Sequence, residues 1–192
     1  MTLPVIRLII EMKVEDAPYF RLNVGKMFYG RYEHKIDAKG RLQIPIALRE
    51  CDRETTPSDK VTYYRNFIML KGSGNCLSLV PTDEFFKTAR EFKPEYDAKG
   101  VVNFSRRLFP NIFEVQLDNQ GRIIIPKHLR EFAGLEDKVL VLGVGSWVEI
   151  WNEELYERAC ANSEIDYDEI ADLFFSNLGR KKFGEKANEP AD

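Results

Sequence analysis

Apolar and polar residues alternate in two short stretches of the chain that have nearly the same sequence. The first is DAKGRLQIP, Asp37–Pro45, and the second is DNQGRIIIP, Asp118–Pro126, an offset of 81 residues (118 − 37). Successive side chains of a strand point to opposite faces, so alternation separates a buried face from an exposed one. The pattern therefore predicts that Leu42 and Ile44 face the core and that Arg41 faces solvent.

The similarity between the two stretches extends beyond them in both directions. Residues 28–50 and 109–131 are identical at ten of 23 positions. In the first copy these positions are Phe28, Glu33, Asp37, Gly40, Arg41, Ile44, Pro45, Leu48, Arg49 and Glu50. Self-similarity at a fixed offset is the signature of an internal repeat. The chain is therefore predicted to contain a duplicated unit.

Each copy is predicted to form an entering strand, a tight loop, an exiting strand and a helix. The strands are predicted at about residues 29–36 and 42–44 in the first copy, and at 112–117 and 123–125 in the second. Asp37 and Asp118 are the predicted loop formers, because an Asp carboxylate accepts hydrogen bonds from the backbone N–H groups that follow it. Gly40 and Gly121 complete the loops, since glycine takes a positive φ without a steric penalty.

Proline and capping residues mark where the helices are predicted to begin. Pro45 and Pro126 are predicted at the first helical position, where the missing N–H costs nothing. Either Thr82 or Asp83 is predicted to cap a helix whose apolar stripe contains three phenylalanines and packs in the core. Asn152 is predicted to cap the helix that follows it. Strands and helices together predict an α+β fold that is rich in β structure.

Two interpretations apply to the arginine in each loop. In one, Arg41 and Arg122 pair with Asp37 and Asp118 inside their own loops. In the other, both arginines have a shared surface role at the mouths of exposed loops. The second is favoured because Asp, Gly and Arg are all retained in two otherwise diverged copies, whereas a turn needs only the Asp and the Gly. Lys39 adds a further cation to the first loop.

The charge of the chain is acidic as a whole and basic around the first loop. The formal net charge is −3 and the pI is about 5.6. This balance argues against non-specific coating of nucleic acid. Residues 26–49, however, hold six Lys and Arg against two acidic residues. A local basic face on an acidic protein is compatible with DNA binding.

The sequence MFYGRYEHKIDAKGRLQIPIALRE, which begins at Met27, resembles the amino-terminal motif of the MraZ family. The sequence DNQGRIIIPKHLREFAGLEDKVLVLGVGSWVEIWNEELYE resembles the second repeat of the same family. These bacterial DNA-binding proteins contain tandem swapped-hairpin repeats of the SpoVT-AbrB type. The resemblance covers roughly residues 27–160. It implies a double repeat that forms a pseudo-dimeric barrel with flanking helices.

The resemblance also implies a site and a function. The family's loops contact DNA, so Lys39, Arg41 and Arg122 are the expected DNA-binding residues. The expected function is sequence-specific regulation of transcription at promoter repeats of the division and cell-wall gene cluster. The expected assembly is a homo-oligomeric ring in the cytoplasm and nucleoid. Two alternatives stay open, namely an antitoxin module of the same fold and a ring-forming scaffold that makes no DNA contact.

The repeats suggest five segments along the chain. The expected segments are an N-terminal extension with weak order (1–26), a first repeat (27–93), a connecting helix (94–108), a second repeat (109–162), and a C-terminal helix followed by a disordered tail (163–192). The short apolar stretch near the N-terminus contains an arginine and is too brief to span a membrane. No membrane association is therefore expected.

The sequence gives no support for an enzyme. Cys51, Cys76 and Cys160 lack the spacing of a zinc site or a disulfide framework, which fits a reducing compartment. His34 and His128 belong to different repeats and have no partner motif. No nucleotide-binding loop or metalloprotease motif is present. We therefore expect no catalytic residue, metal, cofactor or small-molecule substrate.

Overall fold

The structure is a computed structural model that describes residues 27–50, 63–92, 98–162 and 166–180. In these residues the strands are β1 (Phe28–Lys35), β2 (Arg41–Gln43), β3 (Asn66–Lys71), β4 (Leu77–Pro81), β5 (Phe113–Gln116), β6 (Arg122–Ile124), β7 (Lys138–Gly145) and β8 (Val148–Trp151). The α-helices are α1 (Thr82–Glu91), α2 (Ala98–Leu108), α3 (Lys127–Phe132), α4 (Glu153–Ala161) and α5 (Tyr167–Arg180). Short 3-10 turns cover Ile46–Leu48, Ser73–Asn75 and Phe109–Asn111.

The described strands form two antiparallel sheets. Six strands follow the order β1-β7-β8-β4-β3-β5, and the remaining two form a separate β2–β6 ribbon. Strands β1, β3 and β4 of the first repeat correspond to β5, β7 and β8 of the second. Corresponding strands lie at equal distances from opposite edges of the large sheet, so the sheet is symmetric with respect to the two repeats. Strands β1 and β5 lie at its edges, and the described strands do not close into a barrel. The mixed α+β prediction is confirmed, and closure of a barrel stays a prediction.

Strands are exchanged between the repeats. The first strand of the first repeat, β1, pairs with β7 of the second, and β5 of the second repeat pairs with β3 of the first. Within a repeat, β1 and β2 meet through the single bridge Ile36–Leu42. The tight loops therefore reverse the chain without forming a regular local hairpin, because most hydrogen bonds of both strands go to the other repeat.

The β2–β6 ribbon joins the exiting strands of the two repeats. Its register pairs Arg41 with Ile124, Leu42 with Ile123 and Gln43 with Arg122. Leu42 and Ile123 are both fully buried, and so are Ile44 and Ile125 just beyond the ribbon. The predicted alternation of core-facing and outward-facing residues is confirmed. The ribbon is thus fixed to the core by a cross-repeat pair of apolar side chains.

The prolines that follow the ribbon act differently from the prediction. Pro45 and Pro126 have ψ angles of 142° and 144° and occupy the N-cap position of the turn or helix that follows. The carbonyl of Pro126 accepts the hydrogen bond from the N–H of Leu129, at 3.0 Å. The proline therefore precedes the first helical residue, because its extended ψ continues the strand. In the first repeat a helix is predicted from Pro45 to Cys51, but the described residues form a 3-10 turn at Ile46–Leu48, and Cys51 lies outside the described residues.

The other helix predictions have mixed outcomes. Helix α4 begins after Asn152, whose side-chain oxygen accepts a hydrogen bond from the N–H of Leu155 at 3.1 Å, as predicted. Helix α1 has Pro81 at its N-cap and no side-chain cap, so the predicted capping by Thr82 or Asp83 is wrong. The predicted core stripe of α1 is also wrong in part. Only one of its phenylalanines is buried; Phe86 and Phe92 are exposed.

The chain divides into two compact units, Met1–Tyr156 and Glu157–Asp192. All eight described strands belong to the first unit. In the second unit, α5 lies in the segment where a C-terminal helix is predicted, and it exposes the apolar side chains of Tyr167, Ile170 and Phe174. None of the helices in the described ranges has the combined length and apolar character of a membrane span. The predicted segment boundaries stay predictions.

Candidate nucleic-acid interface

The first loop is held by one carboxylate. Asp37 Oδ1 accepts hydrogen bonds from the backbone N–H groups of Lys39 and Arg41, at 2.9 and 3.0 Å. Its Oδ2 accepts the Nε–H of Arg41 at 2.6 Å. The backbone N–H of Gly40, which has a φ of +77°, donates to the Asp37 carbonyl at 2.8 Å. A single aspartate therefore closes the loop and fixes the guanidinium beside it.

The second loop repeats this geometry. Asp118 Oδ1 accepts hydrogen bonds from the N–H groups of Gln120 and Arg122, at 2.8 and 2.9 Å. Its Oδ2 accepts the Nε–H of Arg122 at 2.9 Å and lies 2.8 Å from Nη2. Gly121 has a φ of +75° and donates to the Asp118 carbonyl at 2.8 Å. The two loops therefore have the same hydrogen-bonding pattern.

These contacts lower the pKa of both loop carboxyls below the ordinary value for aspartate. At Asp37 the largest cause is the hydrogen bond from the backbone N–H of Arg41, which partial desolvation opposes. At Asp118 the backbone N–H of Arg122 contributes most, followed by the Arg122 side chain. Hydrogen bonds to the charged form of a carboxyl favour that form. The folded loops therefore favour the charged form of both aspartates.

Acid is expected to loosen both loops. A carboxyl whose folded-state pKa is depressed stabilises the fold above its unfolded pKa, and this contribution is lost as the pH falls through the folded value. The relevant window lies below about pH 4. We expect the thermal midpoint to fall more between about pH 6 and pH 3 in the native chain than in Asp37→Asn/Asp118→Asn. Equal acid sensitivity in Asp37→Asn/Asp118→Asn and in the native chain would contradict this expectation. The control is Asp83→Asn/Asp172→Asn, which replaces two exposed aspartates outside the loops and should keep the acid sensitivity of the native chain.

The two loops lie at the two ends of the antiparallel β2–β6 ribbon, and each is bonded to the other repeat. The N–H of Ile44 donates to the carbonyl of Gly121 at 3.0 Å, and the N–H of Ile125 donates to the carbonyl of Gly40 at 2.9 Å. The side-chain amide of Gln43 also donates to the carbonyl of Gln120 at 2.7 Å. Hydrogen bonds therefore join the loops and the ribbon into one continuous element.

Both loop arginines lie on the outward face of the β2–β6 ribbon. Residues directly opposite each other in an antiparallel pair share a face, so Arg41, Gln43, Arg122 and Ile124 lie opposite the buried face. Arg41 and Arg122 are diagonal neighbours two residues apart along the strands. Strand rise and spacing then place their Cα atoms about 8 Å apart. The two arginines therefore lie on the same face of the ribbon, and each guanidinium is bonded to the aspartate of its own loop.

The ion pairs determine which N–H groups of the two arginines are available to a ligand. Arg41 and Arg122 each pair with the aspartate of their own loop, as the first interpretation describes, and their side chains are 31% and 27% exposed. An Arg side chain has five N–H groups. Because Asp37 takes only the Nε–H of Arg41, the Nη groups of that arginine can still donate. Lys39 is exposed at the tip of the first loop.

The structure adds two arginines to the loops that the sequence analysis did not assign to them. The Arg130 guanidinium lies against Gly40 of the opposite repeat; a Cβ on that glycine would lie 3.3 Å from Arg130 Nε. The Arg49 guanidinium lies against Gly121, where an added Cβ would overlap it. The Nε atoms of both arginines are buried without a hydrogen-bond partner. The available signal was their shared offset of 81 residues (130 − 49).

Gly121→Ala is expected to destabilise the fold more than Gly40→Ala. Both replacements impose a positive φ on alanine, a strain of about 1–3 kcal/mol. The Gly121 position adds overlap with the Arg49 guanidinium. Urea denaturation should therefore show a smaller cost of Gly121→Ala in an Arg49→Ala background. Strict additivity of the two changes would show that Arg49 does not occupy this space.

In the described part of the chain, the remaining cysteine and histidine residues form no second site. Burial raises the pKa of the Cys76 thiol to about 12, and the nearby Glu149 carboxylate adds to this shift. Such a thiol is not a nucleophile at neutral pH. Cys160 is exposed, and burial lowers the pKa of His34. Within the described ranges, no three His, Cys, Asp or Glu side chains are grouped to hold a metal ion.

Fold and site together define a tandem-repeat α+β protein whose two matching Asp-x-x-Gly-Arg loops lie on one exposed ribbon. The family model described as "MraZ protein, putative antitoxin-like" matches residues 27–103 and 108–176. The chain belongs to the MraZ family, which confirms the resemblance found in the sequence.

Individual relatives match across most of their length. A protein of Syntrophomonas wolfei subsp. wolfei named Transcriptional regulator MraZ is 36% identical over 147 residues, which cover 76% of this chain and 95% of the relative. Proteins of the same name from Carboxydothermus hydrogenoformans and Alkaliphilus oremlandii are 37% and 38% identical. Each alignment covers 76% of this chain, and the two alignments cover 95% and 94% of the respective relatives.

Proposed function

We propose that this protein is a sequence-specific DNA-binding regulator of transcription that reads promoter repeats through its two Asp-x-x-Gly-Arg loops. The observation that carries the proposal is the placement of Arg41 and Arg122 on one outward face. Their Cα atoms lie about 8 Å apart, which equals the rise of two or three base pairs. The major groove is wide enough to admit a two-stranded ribbon. The names of the relatives support a role in transcription.

The loops suit recognition of DNA because their arginines are held before binding. An arginine reads guanine through two parallel hydrogen bonds to O6 and N7, worth about 1–3 kcal/mol against the wrong base. The ion pairs with Asp37 and Asp118 limit the side-chain freedom that binding would otherwise remove. Lys39 adds a phosphate contact beside the first loop. Arg41 and Arg122 are therefore the proposed readers, and Lys39 is an accessory cation.

We further propose that several chains act together on repeated promoter boxes. One chain offers about two to four cationic contacts, which corresponds to a salt slope of roughly −2 to −4. Loop pairs held in one ring would add through effective concentration. The proposed target is the promoter of the division and cell-wall gene cluster, with the protein in the cytoplasm at the nucleoid. Exchange of strands between the repeats supports the proposed swapped-hairpin architecture.

An antitoxin role is the second candidate, because the description of the family includes the words antitoxin-like. In that case a part of the chain outside the loops would bind a toxin. The exposed apolar side chains of α5 are the surface such a partner would use. A small toxic protein that co-purifies with the full chain and is released by polar replacement of Ile170 and Phe174 would favour this candidate.

A gel shift on the DNA upstream of the protein's own gene tests the proposed function. A slope of −2 to −4 predicts that affinity falls roughly 15- to 250-fold between about 50 and 200 mM salt. The control is a fragment of equal length and composition from within a coding sequence. Equal affinity for both fragments would contradict sequence-specific binding.

A further inference from the structure

One residue on the outward face of the β2–β6 ribbon is apolar. The side chain of Ile124 is 62% exposed and lies directly opposite Arg41. The other two members of this face are Gln43 and Arg122, which are polar and half-buried. The face that presents the arginines therefore includes one exposed isoleucine.

The fold does not need an isoleucine at this position. Its neighbours Ile123 and Ile125 are buried, so strand alternation turns residue 124 outward whatever its type. The equivalent position of the first repeat is Gln43, a polar residue in the same backbone setting. An exposed strand position that tolerates glutamine in one repeat gains little stability from isoleucine in the other. Recognition of an apolar group is a different reason for the residue.

Because Ile124 is the direct cross-strand partner of Arg41, its side chain lies close to any base that Arg41 contacts. Directly opposite residues of an antiparallel pair have Cβ atoms about 4.5–5.5 Å apart. Base pairs are stacked at about 3.4 Å, so an isoleucine beside a base-reading arginine reaches the next base pair or the one after it. In the major groove the apolar group on a base edge is the C5-methyl of thymine.

We propose that Ile124 is a specificity-determining residue that contacts the methyl group of a thymine one or two base pairs away from the base pair contacted by Arg41. This inference rests on the proposed function. The other half of the ribbon differs, because Gln43 stands beside Arg122 and donates its amide to the carbonyl of Gln120 at 2.7 Å. The two loops share their arginines but present different neighbours to DNA.

The test compares two forms of the DNA fragment upstream of the protein's own gene. One is amplified with thymidine triphosphate and the other with deoxyuridine triphosphate and uracil-containing primers, which removes every thymine methyl and leaves the base-pairing groups in place. The native chain is expected to bind the uracil fragment more weakly, by about 4-fold for each contacted methyl. Ile124→Ser is expected to bind both fragments equally, at the affinity of the native chain for uracil DNA.

A matched control separates this contact from a general effect of uracil on the duplex. Val102→Ser removes another β-branched, exposed side chain, on helix α2, and is expected to keep the native preference for thymine. If Ile124→Ser keeps that preference as well, the proposal is wrong. If Ile124→Ser changes the elution volume in gel filtration, residue 124 lies in a contact between subunits, and the proposal is also wrong.

The outcome also distinguishes this inference from the proposed function. A native chain that binds thymine and uracil fragments equally well overturns the contact with Ile124 and leaves DNA binding intact. A native chain that binds neither fragment overturns the proposed function, and the inference falls with it.

Discussion

Replacing Arg41 and Arg122 together with alanine is expected to weaken binding to promoter DNA strongly and to leave the size of the protein in gel filtration unchanged. Each lost arginine contact is worth about 1–3 kcal/mol, so the pair raises the dissociation constant roughly 30- to 25,000-fold. The fold should survive, because Asp37 and Asp118 still accept hydrogen bonds from the backbone N–H groups of their loops. Gel shift and gel filtration on the same preparation check both parts.

The matched control for this variant is Arg106→Ala/Arg107→Ala. These two exposed arginines lie at the end of helix α2, outside the ribbon, and their removal changes the net charge by the same amount. The control is expected to bind promoter DNA with nearly native affinity. Equal loss in both double variants would show that overall charge matters and the loops do not. Normal binding by Arg41→Ala/Arg122→Ala would remove the loops as the reading site.

Leu42→Ala is expected to destabilise the protein by about 2–5 kcal/mol, the usual cost of truncating a buried leucine. Leu42 is fully buried and pairs across the ribbon with Ile123, which is also fully buried. The cavity would therefore lie between the two repeats, where the ribbon is attached to the core. Urea denaturation monitored by circular dichroism measures this loss of unfolding free energy.

Gln43→Ala on the same strand is the control for the core contact. Its side chain lies on the outward face and makes one hydrogen bond, to the carbonyl of Gln120. Its replacement should cost no more than about 1 kcal/mol. If Leu42→Ala costs as little as Gln43→Ala, the ribbon is not held by its buried pair.

The orientation of the ribbon could be predicted from sequence because it depends on a local rule. Side chains alternate between the two faces of any strand, and equivalent positions of the two repeats are expected to face the same way. The burial of Leu42, Ile44, Ile123 and Ile125 could therefore be predicted from sequence. The loop aspartates were predictable for the same reason, since they bond to N–H groups two and four residues ahead.

The contacts between repeats could not be predicted in the same way. Nothing local to β2 indicates that its partner is β6, and nothing near Arg49 indicates that its guanidinium reaches Gly121 in the other repeat. The prolines were misplaced by one position because strand and helix both tolerate their φ, and only the observed ψ separates the two. The exposure of Phe86 and Phe92 could not be predicted from sequence either. Helical spacing shows that apolar residues share a face, but it does not show whether another element covers that face.

The central claim is that the two loops, one from each repeat, contact DNA together. The most direct measurement is the amide NMR spectrum of chain labelled with ¹⁵N-glycine, recorded while upstream promoter DNA is added. The amides of Gly40 and Gly121 should both shift in step with binding, while that of Gly145, at the end of β7, stays in place. Movement of only one loop glycine, or of neither while DNA binds, would contradict the account.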